Sequence, residues 1–257
     1  MTFVSPLTLD KFNSNTKLIF SPSTAPAFNL AAEEYFFSAR GEYVFLYINH
    51  ASVIVGYNQA VVNEVDMDFC IEKDIRIIRR LSGGGAVYHD SGNLNYAFIS
   101  EKKEMPLSAD FLLPVIHVLQ QLNIPVETGK RKDLWLPGGY KISGTASHVS
   151  KGRELHHGTL LYESNLEHLR RSLNPEKRNL IAKATASVPS PVKNISSFLK
   201  EEKKKLFSFR EFVERFVDES MKYFNIAALT TFSPDDVQAI EALQREKYSQ
   251  RSWNYKM

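Results

Sequence analysis

The sequence contains one cysteine, Cys70, among 257 residues. A single thiol cannot form an intrachain disulfide, so a disulfide-stapled secreted scaffold is excluded and a reducing compartment is favoured. The sequence also lacks an apolar run of the roughly 20 residues that a membrane-spanning helix needs, and it lacks the charged and apolar start of a signal peptide. We therefore expect a cytoplasmic protein with no membrane partner.

An excess of charge of one sign is also missing. Lys and Arg number 32 and Asp and Glu number 29, so the formal net charge is +3 at pH 7. A charge so small and dispersed does not predict the basic surface that nucleic-acid binding requires. The basic run at residues 203–205 follows two glutamates and is typical of a solvated helix face. Nucleic acid is therefore not an expected partner.

The chain has no internal repeat and no low-complexity linker, and we interpret residues 1–257 as a single domain. Apolar and β-branched runs predict strands at residues 17–20, 43–48, 52–55, 75–80, 94–99, 141–149 and 155–163. Helical spacing predicts helices at residues 27–39, 109–122, 166–173, 209–224 and 234–248. Short turns at residues 49–51 and 151–153 predict two hairpins. The expected fold is α+β, with mostly antiparallel sheets flanked by helices.

The most unusual segment is RRLSGGGAVYHD at residues 79–90, which directly follows a predicted strand. Three consecutive glycines lose much backbone entropy on folding, and they permit positive φ or the close approach of a ligand. Their N–H groups can surround phosphate oxygens, and Arg80 adds a cation for phosphate or carboxylate. The spacing fits neither the Walker pattern nor the dinucleotide fingerprint. Taken alone, the glycines are explained equally well by a structural turn.

Two further clusters contain side chains that can carry chemistry. Lys141 begins the segment KISGTA at residues 141–146, and a histidine pair lies within LHHGTLL at residues 155–161. If the turn at Gly152 joins the two predicted strands, these side chains face one cleft.

The three motifs in this order resemble the lipoate-protein ligase family, within the larger group that includes biotin-protein ligases. The similarity extends from about Phe28 to Trp253. It implies a class II synthetase-like catalytic domain and an enzyme that makes lipoyl-AMP from lipoate and ATP, then passes the lipoyl group to a carrier lysine. Mg²⁺ is an implied cofactor. The implied partner is the lipoyl-acceptor domain of a 2-oxoacid dehydrogenase E2 subunit or a glycine-cleavage H protein.

The resemblance also assigns individual residues. Lys141 is the implied catalytic contact to the carboxylate and α-phosphate, and Asp133 lies where the family holds magnesium and orients the incoming amine. The implied ATP-binding residues are Arg80, Gly83, Gly84, Gly85, Ala86, Val87, Tyr88, Lys141 and Lys183. The implied lipoate-binding residues are Leu30, Ile54, Arg80, Ser82, His89, Lys141, Ala146 and His157.

Departures from the family pattern leave alternatives open. Lys132 replaces a usual asparagine, and Pro189 and Pro191 replace two common arginines, which predicts a stiffer and less cationic loop over the adenylate. We also expect the family's small C-terminal domain to be absent, so that activation either needs a separate accessory protein or does not take place in this chain. One alternative is a lipoyl or octanoyl transferase that uses preformed acyl-adenylate. Another, from a different class, is a non-catalytic binder of lipoate or nucleotide.

Overall fold

The computed structural model describes residues 15–176, 180–181 and 183–256. The strands within them are β1 (Lys17–Phe20), β2 (Tyr43–Tyr47), β3 (Ser52–Val55), β4 (Arg76–Arg79), β5 (Val87–His89), β6 (Asn93–Glu101), β7 (Glu127–Thr128), β8 (Leu134–Leu136), β9 (Tyr140–Ser143), β10 (Thr145–Ser150) and β11 (Arg153–Leu161). The α-helices are α1 (Pro26–Ser38), α2 (Val61–Glu64), α3 (Met67–Glu72), α4 (Leu113–Gln121), α5 (Leu166–Ser172), α6 (Ile195–Glu201), α7 (Phe209–Phe224), α8 (Pro234–Leu243) and α9 (Arg251–Asn254). The predicted α+β class is confirmed.

The central sheet has five strands in the order β1-β2-β6-β11-β10. β1 pairs with β2 in parallel, and the other neighbours pair antiparallel. Because successive side chains of a strand point to opposite faces, β6 contributes to two cores. Tyr96 and Phe98 enter a core shared with α4 and α7, whereas Ala97 and Ile99 enter a core shared with α1 and α8. Helices therefore cover both faces of this sheet.

Two smaller sheets have the strand orders β4-β3-β5 and β7-β8-β9. In the first, β3 pairs in parallel with β4 and antiparallel with β5. The segment between β4 and β5 holds the three glycines, so both ends of that segment are hydrogen-bonded to the same central strand. We call residues 82–86 the glycine loop. Its position is fixed because the strands before and after it, β4 and β5, both pair with β3.

The last long helices have the termini that their sequences predict. The Ser208 hydroxyl accepts a hydrogen bond from the third residue of α7, and α7 ends at Asn225, whose left-handed φ of 52° is one that asparagine tolerates. Ser233 is the N-cap of α8, and it forms a capping box with Asp236. After Leu243, α8 continues as a π-helical turn, Gln244–Tyr248.

The predicted hairpin at residues 43–55 is wrong. β2 and β3 belong to different sheets, because β1 and β6 occupy both edges of β2 and leave none for β3. The intervening Asn49 and His50 form hydrogen bonds with residues outside β2 and β3 instead of a hairpin turn. The His50 amide donates to the Thr24 carbonyl, and the Asn49 side chain bonds Asn29 and His89. The chain therefore crosses from one sheet to the next at this point.

The predicted strand at residues 141–149 is divided at Gly144. Its first part is β9, which pairs with β8, and its second part is β10, which forms the expected hairpin with β11. The amide and carbonyl of Gly144 both bond Thr159 in β11. Lys141 is therefore outside the hairpin that contains the histidines, although β9 packs against β11.

Several short elements were not predicted. They are β5, β7, β8, α2, α6 and α9. In the stretch at residues 174–193, the described part forms no helix or strand and contains an isolated bridge between Val192 and Lys141; residues 177–179 and 182 lie outside the described residues. Among the described residues, no helix has both the length and the apolar character to cross a membrane.

Candidate active site

The glycine loop borders a cavity of about 300 Å³. Three of its charged residues, Arg131, Asp133 and Lys141, come from the sheet of β7, β8 and β9 and its connections. Its aliphatic residues Leu30 and Ile54 come from α1 and β3, so one part of the cavity is charged and another is apolar. The sequence-predicted residues that line it are Leu30, Ile54, Arg80, Gly84, Gly85, Ala86, Val87, His89, Asp133, Lys141, Ala146 and His157.

A second cavity of about 700 Å³ shares part of this lining. Ala86, Val87, Lys141 and Gly144 border both cavities, so Lys141 lies where they meet. The second cavity extends between the start of β9, the end of α5 and residues 187–192. It also includes Tyr88, which was predicted to line the nucleotide site. The two cavities together form one cleft, with Lys141 at the junction.

Lys141 pairs with Asp133 across the β8–β9 sheet. The Lys141 Nζ atom lies 3.1 Å from Asp133 Oδ2, and the Asp133 side chain is only 3% exposed. Burial acts to raise the pKa of Asp133, but the Trp135 indole and the Lys141 ammonium outweigh burial and lower it. Asp133 is therefore an ionised carboxylate at neutral pH that holds the lysine at the junction of the cavities.

Arg80 is buried behind the glycine loop. Its guanidinium donates to the Ser82 hydroxyl and to the carbonyls of Ile54, Gly83 and Gly85, at 2.6–3.0 Å. Burial lowers the pKa of Arg80 to about 10, so it keeps its charge at neutral pH. Three of these four acceptors belong to the glycine loop. Arg80 shapes the loop that faces the cavity, and this role was not foreseen from the sequence.

The Arg80 side chain is the end of a buried hydrogen-bonded series. The Glu33 carboxylate accepts from His157 Nδ1 at 2.9 Å, and His157 Nε2 lies 2.6 Å from the Ser82 hydroxyl. Tyr47 also donates to Glu33, at 3.0 Å. With Nδ1 of His157 directed at Glu33, the other ring nitrogen is hydrogen-bonded to the Ser82 hydroxyl, whose oxygen also accepts from Arg80 Nε. Glu33 was missed as a site residue, because a glutamate within a predicted helix gives no sign that it faces inward.

Residues 183–192, which we call the outer segment, border the cleft on another side. The Ser187 hydroxyl accepts from the Ala86 amide at 2.9 Å and from Gln59 at 3.1 Å. The Glu64 carboxylate accepts from the Ser187 amide at 3.2 Å. Ser187 is thus the contact between the outer segment and the glycine loop. No local pattern predicts this contact, because it joins chain segments about 100 residues apart.

The remaining predicted residues do not line the first cavity. Ser82, the first residue of the glycine loop, is buried, and its hydroxyl bonds His157 and Arg80. Gly83 and the exposed Lys183 line neither of the two cavities. Cys70 is buried in α3, and burial raises the pKa of its thiol to about 12. Cys70 is therefore not a reactive thiolate. It packs in a hydrophobic core with β3, β4 and α3, away from the cleft lining.

A glycine loop, a paired lysine and a cleft that is charged in one part and apolar in another suit the binding of an acid with an apolar tail. The sequence matches the lipoyl protein ligase A/B catalytic domain over residues 25–220. The lipoate-protein ligase LplJ of Bacillus subtilis is 36% identical over 235 residues, which make up 90% of this chain and 70% of that protein. The chain belongs to the lipoyl protein ligase A/B catalytic domain family.

Solved structures agree with this assignment. One is that of a bipartite lipoate-protein ligase and its E2 lipoyl domain from Thermoplasma acidophilum, with a TM-score of 0.77, 27% identity and coverage of 95% of this chain and 96% of that one. Another is a lipoate-protein ligase A bound with ATP, with a TM-score of 0.76, 25% identity and coverage of 94% and 98%. The predicted family is confirmed, and the chain is a lipoate-protein ligase, an enzyme that forms an amide on a lysine side chain.

Proposed function

We propose that this enzyme binds ATP and lipoate in the cleft, forms lipoyl-AMP, and transfers the lipoyl group to a lysine of a carrier lipoyl domain. The observation that carries the proposal is the position of Lys141, which borders both cavities. A carboxylate whose tail lies in the apolar part of the first cavity would meet, at Lys141, a nucleotide in the second. The relative that was solved with bound ATP supports this use of the cleft.

In the first step, a lipoate oxygen bonds to the α-phosphorus of ATP. The bond from that phosphorus to the bridging oxygen breaks, and pyrophosphate leaves with the electron pair. Negative charge accumulates on the phosphoryl oxygens in the transition state. The Lys141 ammonium offsets this charge in a partly shielded site, where a fixed cation is more effective than in water. Because Asp133 holds Lys141 in place, little reorganisation is needed.

In the second step, the neutral amine of the carrier lysine attacks the acyl carbon. The bond from that carbon to the phosphate oxygen breaks, AMP leaves with the electron pair, and the amine loses a proton. The buried Asp133 carboxylate stays ionised, so it can accept a hydrogen bond from the incoming amine and orient it. Lys141 offsets the charge that develops on the oxygen of AMP.

Mg²⁺ is proposed as the ion that accompanies ATP. Asp133 is the carboxylate that would hold it, and its oxygen chemistry fits a cation that also takes phosphate oxygens and water. Among the described residues, no group of three His, Cys, Asp or Glu side chains is arranged to hold a metal. The protein would therefore supply few ligands, and the ion would help to neutralise the phosphates when bound.

The proposed partner is a lipoyl domain of a 2-oxoacid dehydrogenase E2 subunit or of a glycine-cleavage H protein. The Thermoplasma relative, solved as a bipartite ligase with its E2 lipoyl domain, supports a carrier of this kind. The cytoplasm is the proposed location, since the single cysteine is a buried free thiol.

Pyrophosphate release tests the proposed function. The purified chain, given ATP, Mg²⁺ and lipoate, is expected to release pyrophosphate only when lipoate is present. Transfer to an apo lipoyl domain is measured separately with supplied lipoyl-AMP. Transfer without any lipoate-dependent pyrophosphate release would show that the chain is a transferase for preformed adenylate. Ligand binding without either reaction would show that it is a non-catalytic binder.

A further inference from the structure

We infer that Gln59 and Glu64 are positioning residues that keep the acyl-adenylate in the cleft between the two half-reactions. The inference rests on the proposed function, because lipoyl-AMP is the ligand that they would retain. Both side chains are buried, with exposed fractions of 2% and 3%, and neither borders the two cavities. They act on the cleft through the outer segment, whose residues 185–188 border the first cavity.

Gln59 and Glu64 bond the same short stretch of the outer segment. The Gln59 Nε2 atom donates to the Ser187 hydroxyl at 3.1 Å and to the Thr185 carbonyl at 3.4 Å. Both oxygens of the Glu64 carboxylate lie 3.2 Å from the Ser187 amide, which donates to them. The Thr185 amide donates to the Asn58 carbonyl at 3.1 Å. This stretch is therefore held by hydrogen bonds at both Thr185 and Ser187.

The segment that contains Gln59 and Glu64 is itself fixed, and we call residues 56–64 the anchor. The buried Arg79 guanidinium donates to the Gln59 carbonyl at 2.7 Å. The Tyr57 amide donates to the carbonyl of Ser82, in the glycine loop, at 2.8 Å. The anchor is thus attached to the wall that contains the glycine loop, and the outer segment is the part that can move away from it.

Hydrogen bonds rather than apolar burial hold this part of the outer segment. Ala186 is exposed and Val188 is 64% exposed. When polar contacts separate, water replaces the lost partners, so opening costs less than exposing an apolar core. Further along the chain, the Lys141 amide donates to the Pro191 carbonyl at 2.8 Å. These contacts suit a wall that opens at residues 183–188 and stays attached at Pro191.

Retention matters because the acyl-adenylate is a mixed anhydride that water can hydrolyse. The enzyme must hold it until a carrier lysine arrives, and the wall must then open for AMP to leave. Loss of the Glu64 contact should speed dissociation of lipoyl-AMP about tenfold, the scale of one hydrogen bond to a charged acceptor. The rate of adenylate formation on the saturated enzyme should stay within about threefold of wild type, because it depends on Lys141 and Asp133.

A chase experiment measures dissociation directly. Labelled lipoyl-AMP bound to the wild type, Glu64→Leu or Glu64→Gln is displaced by an excess of unlabelled lipoyl-AMP. We expect dissociation from Glu64→Leu to be about tenfold faster than from wild type. Glu64→Gln should lie between the two, because its amide oxygen still accepts from Ser187. Asp68→Asn is the matched control, since it removes an exposed carboxylate from α3, and it should keep the wild-type rate.

Gln59→Glu tests the second contact. It keeps an oxygen for the Gly56 amide, which donates to Gln59 Oε1 at 2.8 Å, but it removes the N–H donor to Thr185. Dissociation should be about threefold faster, the scale of one neutral hydrogen bond. Asn58→Asp introduces the same charge on the neighbouring residue, which is exposed, and should have no effect.

Trypsin cleavage reports on the outer segment without any ligand. Lys183, at its start, is exposed, as is Lys151 in the β10–β11 turn. Cleavage after Lys183, identified by fragment mass, should be about tenfold faster in Glu64→Leu, and cleavage after Lys151 should not change. Equal acceleration at both sites would mean a general loss of stability and would contradict the inference.

Two results of the chase would also overturn the inference. One is a wild-type dissociation rate in folded Glu64→Leu, and the other is a fall in adenylate formation as large as the rise in dissociation. Absence of lipoyl-AMP binding to the wild type would instead contradict the proposed function. The two failures are therefore distinguishable.

Discussion

The two walls of the cleft are held in different ways. The glycine loop is supported from behind by a buried series of side chains, Glu33, His157, Ser82 and Arg80, whose hydrogen bonds are 2.6–3.0 Å long. The outer segment contacts that loop through Ser187 and is otherwise largely exposed. The difference indicates that the first wall defines the bound geometry, and that the second affects entry and departure. Changes to the two walls should therefore have effects of different size.

Gly84→Val should have the largest effect. Gly84 has a φ of 84°, and a Cβ atom there would lie 3.2 Å from the Arg80 guanidinium. Because valine is strained at positive φ and the loop has little room, we expect no measurable binding of lipoyl-AMP by calorimetry. Gly152→Val is the matched control, since Gly152 has a φ of 72° but faces open space in the β10–β11 turn. Wild-type affinity in folded Gly84→Val would mean that the loop is a structural turn.

Lys141→Ala should lower both half-reactions at least about a hundredfold, the scale of one lost transition-state charge contact. Single-turnover rates of adenylate formation and of transfer provide the measurement. Lys130→Ala removes an equal charge from an exposed site that borders neither cavity and should change little. Near-normal rates in folded Lys141→Ala would show that Lys141 does not stabilise the transition states.

Glu33→Gln should reduce kcat/KM about thirtyfold, since a hydrogen bond to a charged acceptor contributes roughly 1.5–3 kcal/mol. The loss acts through His157 and the glycine loop, so Glu33→Asp should recover part of it. Glu34→Gln is the neighbouring control, because Glu34 instead bonds Lys247 and Tyr248. Equal losses in the two glutamine variants would indicate a general effect on α1 rather than support of the loop.

The low pKa of His89 predicts a pH dependence of stability. Between pH 6.5 and about 3 the unfolded chain binds a proton at this residue that the folded protein does not, so stability falls as pH falls through that range. From pH 7 to pH 5 the wild type should lose about 2 kcal/mol more unfolding free energy than His89→Gln. Urea denaturation at both pH values measures this. Identical losses in the two proteins would show that His89 is protonated in the folded state.

Arg131→Ala should have the smallest effect, confined to the first half-reaction. Arg131 borders the cavity, donates to Ser190 of the outer segment at 2.9 Å and has a side chain that is 47% exposed. Such a position suits a leaving pyrophosphate that departs into water. We expect adenylate formation to fall about tenfold and transfer from lipoyl-AMP to stay within about twofold, the scale of an exposed charge contact. A similar decrease in both steps would place Arg131 on the retained adenylate instead.

Sequence patterns predict those elements whose structure is determined by residues close to them in the chain. The bounds of β1 and α7 and the turn of the β10–β11 hairpin depend on neighbouring residues. The pairing of β2 and β3 does not, because it depends on which strands already occupy their edges. The roles of Glu33 and Ser187 also could not be predicted from neighbouring residues. Their partners lie about 100 residues or more away, so no local pattern reveals their place in the cleft.

The central claim is that one chain activates lipoate and attaches it to a carrier. Its most direct test is the intact mass of an apo lipoyl domain after incubation with the enzyme, Mg²⁺ and lipoate, with and without ATP. We predict the addition of one lipoyl group, dependent on ATP and lost in Lys141→Ala. An unchanged carrier mass with ATP present, alongside full modification when lipoyl-AMP is supplied, would contradict the claim.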